Sequence, residues 1–196
     1  MIHMLARART LWFVLLGVSC LLLQLRCGLF GPRDAEEPST QSTNFRPPTT
    51  PDIVISNLEY AVQEKNVANY MNCFVDPLIT TRRFRFTPSS DGTSLGPWTL
   101  ADERAYFENI KASAGDNGFS RLNLTLRNNP LPLDTVRYEY TYSLTFMHSK
   151  PGVPTTVAGH MELTLGTENN GWWAIYGWTD YKDSSDTWSR LKVEFQ

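Results

Sequence analysis

A chain of 196 residues provides for one globular domain with additional segments. Its 41% apolar and 19% charged content argues against a disordered chain, and its formal net charge of −2 argues against a partner gripped through phosphate charges. Without residues 1–27, which carry Arg7, Arg9 and Arg26, 15 basic side chains face 20 acidic ones, a net −5, so no nucleic-acid partner is expected.

At the N-terminus, Arg7 and Arg9 precede an apolar run from Leu11 to Leu25. That run is shorter than the roughly 20 residues that span a bilayer. It has the layout of an export signal, and its basic residues stay on the cytoplasmic side. Cys27 closes the run and opens Cys27-Gly28-Leu29-Phe30-Gly31-Pro32-Arg33. This arrangement resembles a bacterial lipoprotein signal, in which a cysteine after the apolar stretch is acylated and becomes the mature N-terminus. The resemblance implies Cys27 as the lipid anchor and the membrane as a partner. It places the rest of the chain in the bacterial cell envelope, facing the periplasm or the cell exterior. Arg26 departs from the small residue usual before such a cysteine. Cys20, in Gly17-Val18-Ser19-Cys20, and an uncleaved helix over 1–27 stand as alternative anchors. Cys73 is the only other cysteine, so the mature chain has no intramolecular disulfide to form. A small buried apolar role is expected for it.

Residues 28–49 read as a linker. Asp34 to Thr40 and Pro47 to Thr50 are rich in Pro, Ser, Thr and acid, with little to bury. The domain then occupies 50–196. Thr50, Pro51 and Asp52 start a helix with Val54, Leu58, Ala61 and Val62 on one face. Asn66 caps a second, from Val67 to Phe74. Phe84 and Phe86 alternate with Arg83 and Arg85 as a short strand. Thr99 with Asp102 forms a capping-box variant for a third helix, on which Leu100, Arg104, Phe107, Ile110 and Lys111 share a face, with the long stems of Arg104 and Lys111 at its margin. Gly115 ends it.

From Phe119 the period changes to two. Leu122, Leu124 and Leu126 form one apolar series, Val136 to Phe146 a second and Val157 to Leu165 a third, with Trp172 to Asp180 as a fourth run. One-sided alternation predicts an antiparallel meander with one wet face and the helices on the other. The fold class is therefore α+β: three N-terminal helices on a curved antiparallel sheet of four long strands, plus a short strand.

That order resembles the cone-shaped fold of nuclear transport factor 2-like (SnoaL-like) proteins. Thr50-Pro51-Asp52 running to Asn57-Leu58, the strand Trp173 to Asp180, and the ending Thr187 to Phe195 are similar to lipoprotein members of that superfamily. The resemblance covers residues 50–196. It implies a pocket between the curled sheet and the first helices, lined by Tyr70, Tyr138, Tyr140, Tyr142, Trp173, Trp178 and Asp180. Such a pocket suits a small apolar ligand; a well-filled core of the same rings is the alternative.

Acid–base catalysis there would need an inward carboxylate or imidazole. Glu139 and Glu162 alternate onto the wet face, His148 lies at a strand end, and His160 is out of phase with its apolar neighbours. Among the acids and histidines of the long strands only Asp180, ending the Trp-rich strand, is an exception to the wet face, and its expected role is a hydrogen bond to a loop backbone. No metal-ligand spacing is found, and no cofactor is implied. The expectation is a tethered extracytoplasmic binding or interaction module, taking an apolar ligand or an envelope protein. A small isomerase- or cyclase-like enzyme acting on a hydrophobic substrate is the alternative.

Overall fold

The computed structural model describes residues 44–196, except 116, 117 and 129. The export signal, Cys20, Cys27 and the linker up to residue 43 lie outside the described residues. The elements run α1 (Pro51–Gln63), α2 (Val67–Met71), β1 (Arg85–Thr87), a 3-10 turn (Ser90–Gly92), α3 (Leu100–Ala114), β2 (Ser120–Leu126), β3 (Thr135–Phe146), β4 (Thr156–Thr167), β5 (Trp173–Tyr181) and α4 (Trp188–Phe195).

Local chemistry sets the helix starts. Pro51 occupies the first turn of α1, although the Thr50 side chain makes no capping bond. Asn66 accepts the Asn69 N–H and caps α2, which ends at Met71 rather than Phe74. Thr99 and Asp102 form the reciprocal capping box on α3, and Gly115 leaves that helix at φ +67°. Residues 44–49, linker-like in composition, lie against the domain. The Arg46 N–H donates to Asn57 Oδ1 at 3.0 Å, Asn57 Nδ2 donates back to the Arg46 carbonyl at 2.7 Å, and the Trp173 N–H donates to the Pro48 carbonyl at 2.8 Å.

The sheet order is β1-β5-β4-β3-β2. Strands β2 to β5 are the expected antiparallel meander, while β1 pairs parallel to β5 with Phe86 opposite Trp178, so the sheet is mixed. On β3, Val136, Tyr138, Tyr140, Tyr142, Leu144 and Phe146 are buried, and Arg137, Glu139 and Thr141 are exposed. The pleat sorts the two faces, as the period-two pattern predicts. On β2 the sorting fades: Leu124 is half-buried and Leu126 exposed. Truncating a buried ring leaves a cavity, so Tyr140→Ala should lower stability by about 3 kcal/mol in urea unfolding.

Two departures from the expected fold shape the interior. The buried face of α3 is Glu103, Tyr106, Phe107 and Ile110. Leu100 is only partly buried, and Arg104 and Lys111 are exposed. These buried positions follow the i, i+3, i+4, i+7 spacing of one helix face, so the stripe includes a carboxylate. The chain also ends in an additional helix, α4, with Trp188, Ser189, Leu191, Lys192 and Phe195 buried. It packs against α3 and the 3-10 turn.

Strand β5 carries a register shift. Thr164 of β4 faces Gly177, but Leu165 faces Ile175, so Tyr176 is the extra residue. Before it, Trp173 and Ile175 are buried; after it, Trp178 and Asp180 are. A bulge inverts which parity faces inward. Here it aims Trp178 and Asp180 into the cone.

Candidate functional site

The centre of the cone holds an ion pair. Glu103 from α3 and Lys192 from α4 both have fully buried side chains, and the Lys192 ammonium donates to both Glu103 oxygens. The Tyr70 O–H donates to Glu103 Oε1 at 2.6 Å and Trp98 Nε1–H donates to Oε2 at 2.6 Å. Each carboxylate oxygen therefore accepts two bonds, which fills its acceptor capacity.

The ammonium sits among aromatic faces. Its nitrogen lies 4.2 Å from the ring centre of Trp178, 4.4 Å from Phe86, 4.9 Å from Tyr106 and 5.3 Å from Trp98. All are within the roughly 6 Å range of a cation–π contact. Burial pulls the Lys192 pKa down, and the Glu103 charge opposes that shift. Burial, then the Glu103 charge, pushes Tyr70 well above its ordinary value, so it serves as a donor. Tyr70 also stacks on Phe107 at 3.9 Å, and Tyr106 accepts the Trp188 indole N–H at 2.8 Å. The Trp178 indole N–H is buried and has no hydrogen-bond partner among the described residues.

A second buried cluster fastens α4. Asp180 Oδ1 accepts the Tyr142 O–H at 2.8 Å, and Oδ2 accepts the Ser189 N–H at 2.8 Å and the Ser189 O–H at 2.5 Å. The Trp188 N–H donates to the Tyr142 oxygen at 2.7 Å. Thr187, at the N-cap position, makes no capping bond of its own. Asp180 satisfies the helix start from the neighbouring strand instead. Burial raises the Asp180 pKa, with the bonds from Ser189 and Tyr142 opposing it. Beside this cluster, Asp91 accepts from Ser89, Thr187 and Lys182. Burial acts to raise its pKa, but those bonds outweigh it and hold the carboxyl at about 2.

The seven expected pocket residues divide accordingly. Tyr70 and Trp178 meet at the Glu103–Lys192 centre. Tyr142 and Asp180 form the clasp of α4. Tyr138 and Tyr140 pack against each other at 5.9 Å, and the Tyr138 O–H reaches Asp52 at 3.2 Å. Trp173 is buried beside the strap formed by residues 44–49, through its N–H bond to Pro48. The expectation that only Asp180 brings an inward acid is corrected: Glu103 is inside as well, on a helix where strand alternation has no bearing. The sequence does not single out Lys192, Trp98, Tyr106 and Trp188 as site residues, and it places Phe86 only as an apolar residue of the short strand. A signal for Lys192 was available in Trp188, Leu191, Lys192 and Phe195, an i, i+3, i+4, i+7 stripe that includes the lysine.

Outside the cone, an open groove of about 550 Å³ is lined by Phe45, Met71, Phe74, Val75, Leu100 and Trp172, with Arg104 and Glu168 among its polar atoms. A cavity of about 700 Å³ shares Val75, Pro77 and Leu100 with it and extends to Arg82 and Phe84. Leu78, next to Pro77, is 94% exposed, and Trp172 is 45% exposed. Among the described residues no helix is long and apolar enough to cross a membrane.

This geometry is that of the nuclear transport factor 2-like cone fold, and solved structures share it. A conserved protein from Planctomyces limnophilus matches with TM-score 0.54 at 11% identity, covering 66% of this chain and 91% of that one. A candidate scytalone dehydratase from Novosphingobium aromaticivorans matches with TM-score 0.51 at 10% identity, covering 69% and 88%. A candidate calcium/calmodulin-dependent protein kinase type II association domain from Thiobacillus denitrificans matches with TM-score 0.50 at 12% identity, covering 69% and 96%. At such identities the likeness is one of fold. No family model matches the chain, and no curated protein matches it.

Proposed function

We propose that the protein is a membrane-tethered extracytoplasmic binding module of the cone fold, which binds an apolar ligand or an apolar segment of an envelope protein in the groove beside Pro77. The carrying observation is that the chain's own side chains occupy the cone centre while an apolar groove of about 550 Å³ lies open on its flank. Exposed Trp172 adds apolar surface to its lining, and Leu78, which follows Pro77, is exposed as well. A photo-crosslinking residue at position 78 of the full chain should capture a partner or ligand in the envelope. The same residue at Arg137, on the wet face of β3, should not. Equal capture at both positions, or none at 78, would sink the groove.

The tether rests on the sequence: basic residues, an apolar run, then Cys27 before a Pro-rich stretch. Intact-mass analysis of membrane-extracted protein should show an acylated species that begins at Cys27. An unmodified Met1 start would replace the lipid by an uncleaved helix.

A second reading, catalysis on a hydrophobic substrate, draws on the two carboxylates inside the cone. Against it, both are engaged by the protein's own donors: Glu103 is saturated by Tyr70, Trp98 and Lys192, and Asp180 accepts three bonds from Tyr142 and Ser189. Turnover of a hydrophobic ketone or lactone that disappears in Glu103→Gln, with the fold retained, would favour this reading over the first.

A further inference from the structure

We propose that the cone contains a recognition site for a primary alkylammonium ion, and that the chain's own Lys192 occupies it as an intramolecular ligand. The parts of the site come from everywhere except the helix that carries the lysine. Phe86 lies on β1, Trp98 on the loop before α3, Glu103 and Tyr106 on α3, and Trp178 on β5. The donors that orient the Glu103 carboxylate, Tyr70 and Trp98, also lie outside α4. The carboxylate is thus aimed at the cage centre by groups independent of Lys192. The lysine arrives from the last helix, as an external ammonium would.

The chemistry selects a cation with an alkyl stem. Four ring faces present their negative quadrupoles at 4.2 to 5.3 Å from the nitrogen. The carboxylate supplies charge-assisted acceptors on one side. A neutral hydroxyl of the same length would lose both contributions. Packing alone gives no reason for an ammonium here, because well-packed apolar side chains of similar volume serve a core at least as well as an ion pair. Rings and carboxylate together form a cation receptor. Its occupancy by Lys192 keeps the cone closed to amines while α4 is seated.

The test uses the full chain with Lys192→Ala. That substitution removes three carbons and the nitrogen, the atoms of n-propylammonium. Thermal unfolding and tryptophan fluorescence are followed at neutral pH against n-propylammonium, with n-propanol as the neutral control. A saturable rise in melting temperature with the amine alone is expected for Lys192→Ala. No such rise is expected for the wild type, whose site is filled, or for Lys192→Met, whose neutral stem fills the cage. Adding Glu103→Gln to Lys192→Ala should weaken amine binding about tenfold or more. Should Lys192→Ala be unfolded by itself, the same comparison is made on the folded protein recovered when each compound is present during refolding. Recovery with the amine alone supports the site. Equal effects of amine and alcohol, or no effect of either, overturn it. A saturable amine response in the wild type overturns the occupancy by Lys192.

Discussion

Glu103→Gln is expected to destabilise the domain by about 3–5 kcal/mol, the usual cost of leaving one partner of a buried pair uncompensated. Glutamine keeps nearly the same volume and an oxygen for Tyr70 or Trp98 but turns an NH2 toward the other donor, so the loss combines the missing charge with one lost acceptor. At roughly 2–4 °C per kcal/mol for a domain of this size, the melting temperature should fall by roughly 6–20 °C. The loss should depend on pH in a set direction. Burial already holds the Lys192 pKa below its ordinary value with Glu103 opposing the shift, and removing Glu103 leaves burial unopposed. In the variant the unfolded state then binds the proton more tightly than the folded state, so stability rises with pH between the lowered folded pKa and the unfolded value of about 10.4. The deficit of Glu103→Gln should therefore shrink as pH increases. Lys192→Met on the same background should restore most of the stability and abolish that pH dependence. Urea unfolding of the two single variants and the double, at several pH values, completes the cycle. A deficit that is flat with pH would mean the ammonium is not what the variant leaves stranded.

The strands were legible because their chemistry is periodic. Val136 to Phe146 alternates so cleanly with polar residues that the buried set of β3 follows from the pleat. The helix starts were legible from Asn66, Thr99 and Asp102, whose side chains bond locally. Glu103 and Lys192 were hidden because each is a charged residue on a stripe whose other members are apolar. Neither stripe shows its partner, since the pair forms across 89 residues of chain. The third-helix face was misplaced for the same reason: treating Glu103 as solvated rotates the apparent stripe toward Arg104 and Lys111. The inward turn of Trp178 and Asp180 depends on the bulge at Tyr176. An inserted residue changes phase without changing composition, so the pattern alone does not reveal it. Helix α4 lacks a self-contained start signal, because Asp180 and Asp91 supply its capping from distant segments.

Asp180→Ala should be the most damaging change at the seat of that helix. It removes a buried acceptor from three donors at once: the Tyr142 O–H, the Ser189 N–H and the Ser189 O–H. At about 1–3 kcal/mol for each buried group left unpaired, with some recovered by relaxation, the loss should be roughly 3–6 kcal/mol. The damage should be local before it is global. Freed from Asp180, the first turn of α4 loses its cap, and the Trp188 and Ser189 amides should exchange with solvent much faster than those of β3 or β4. Asp180→Asn is the companion variant, since it keeps one acceptor oxygen and removes the charge. Its comparison with the wild type carries a sign. Burial raises the Asp180 pKa above the unfolded value of about 3.9, so between the two the folded state binds more protons. Wild-type stability relative to Asp180→Asn should thus increase as pH falls through the folded pKa toward about 4. Asp91 acts in the opposite sense: its contribution is present above about 3.9 and is lost as pH falls toward about 2. It is common to both proteins and cancels in the difference. Urea unfolding from neutral pH down to about 4, with hydrogen exchange at Trp188 and Ser189, measures both effects. Uniform exchange across α4, β3 and β4 in Asp180→Ala would show that Asp180 supports the whole cone rather than the seat of its last helix.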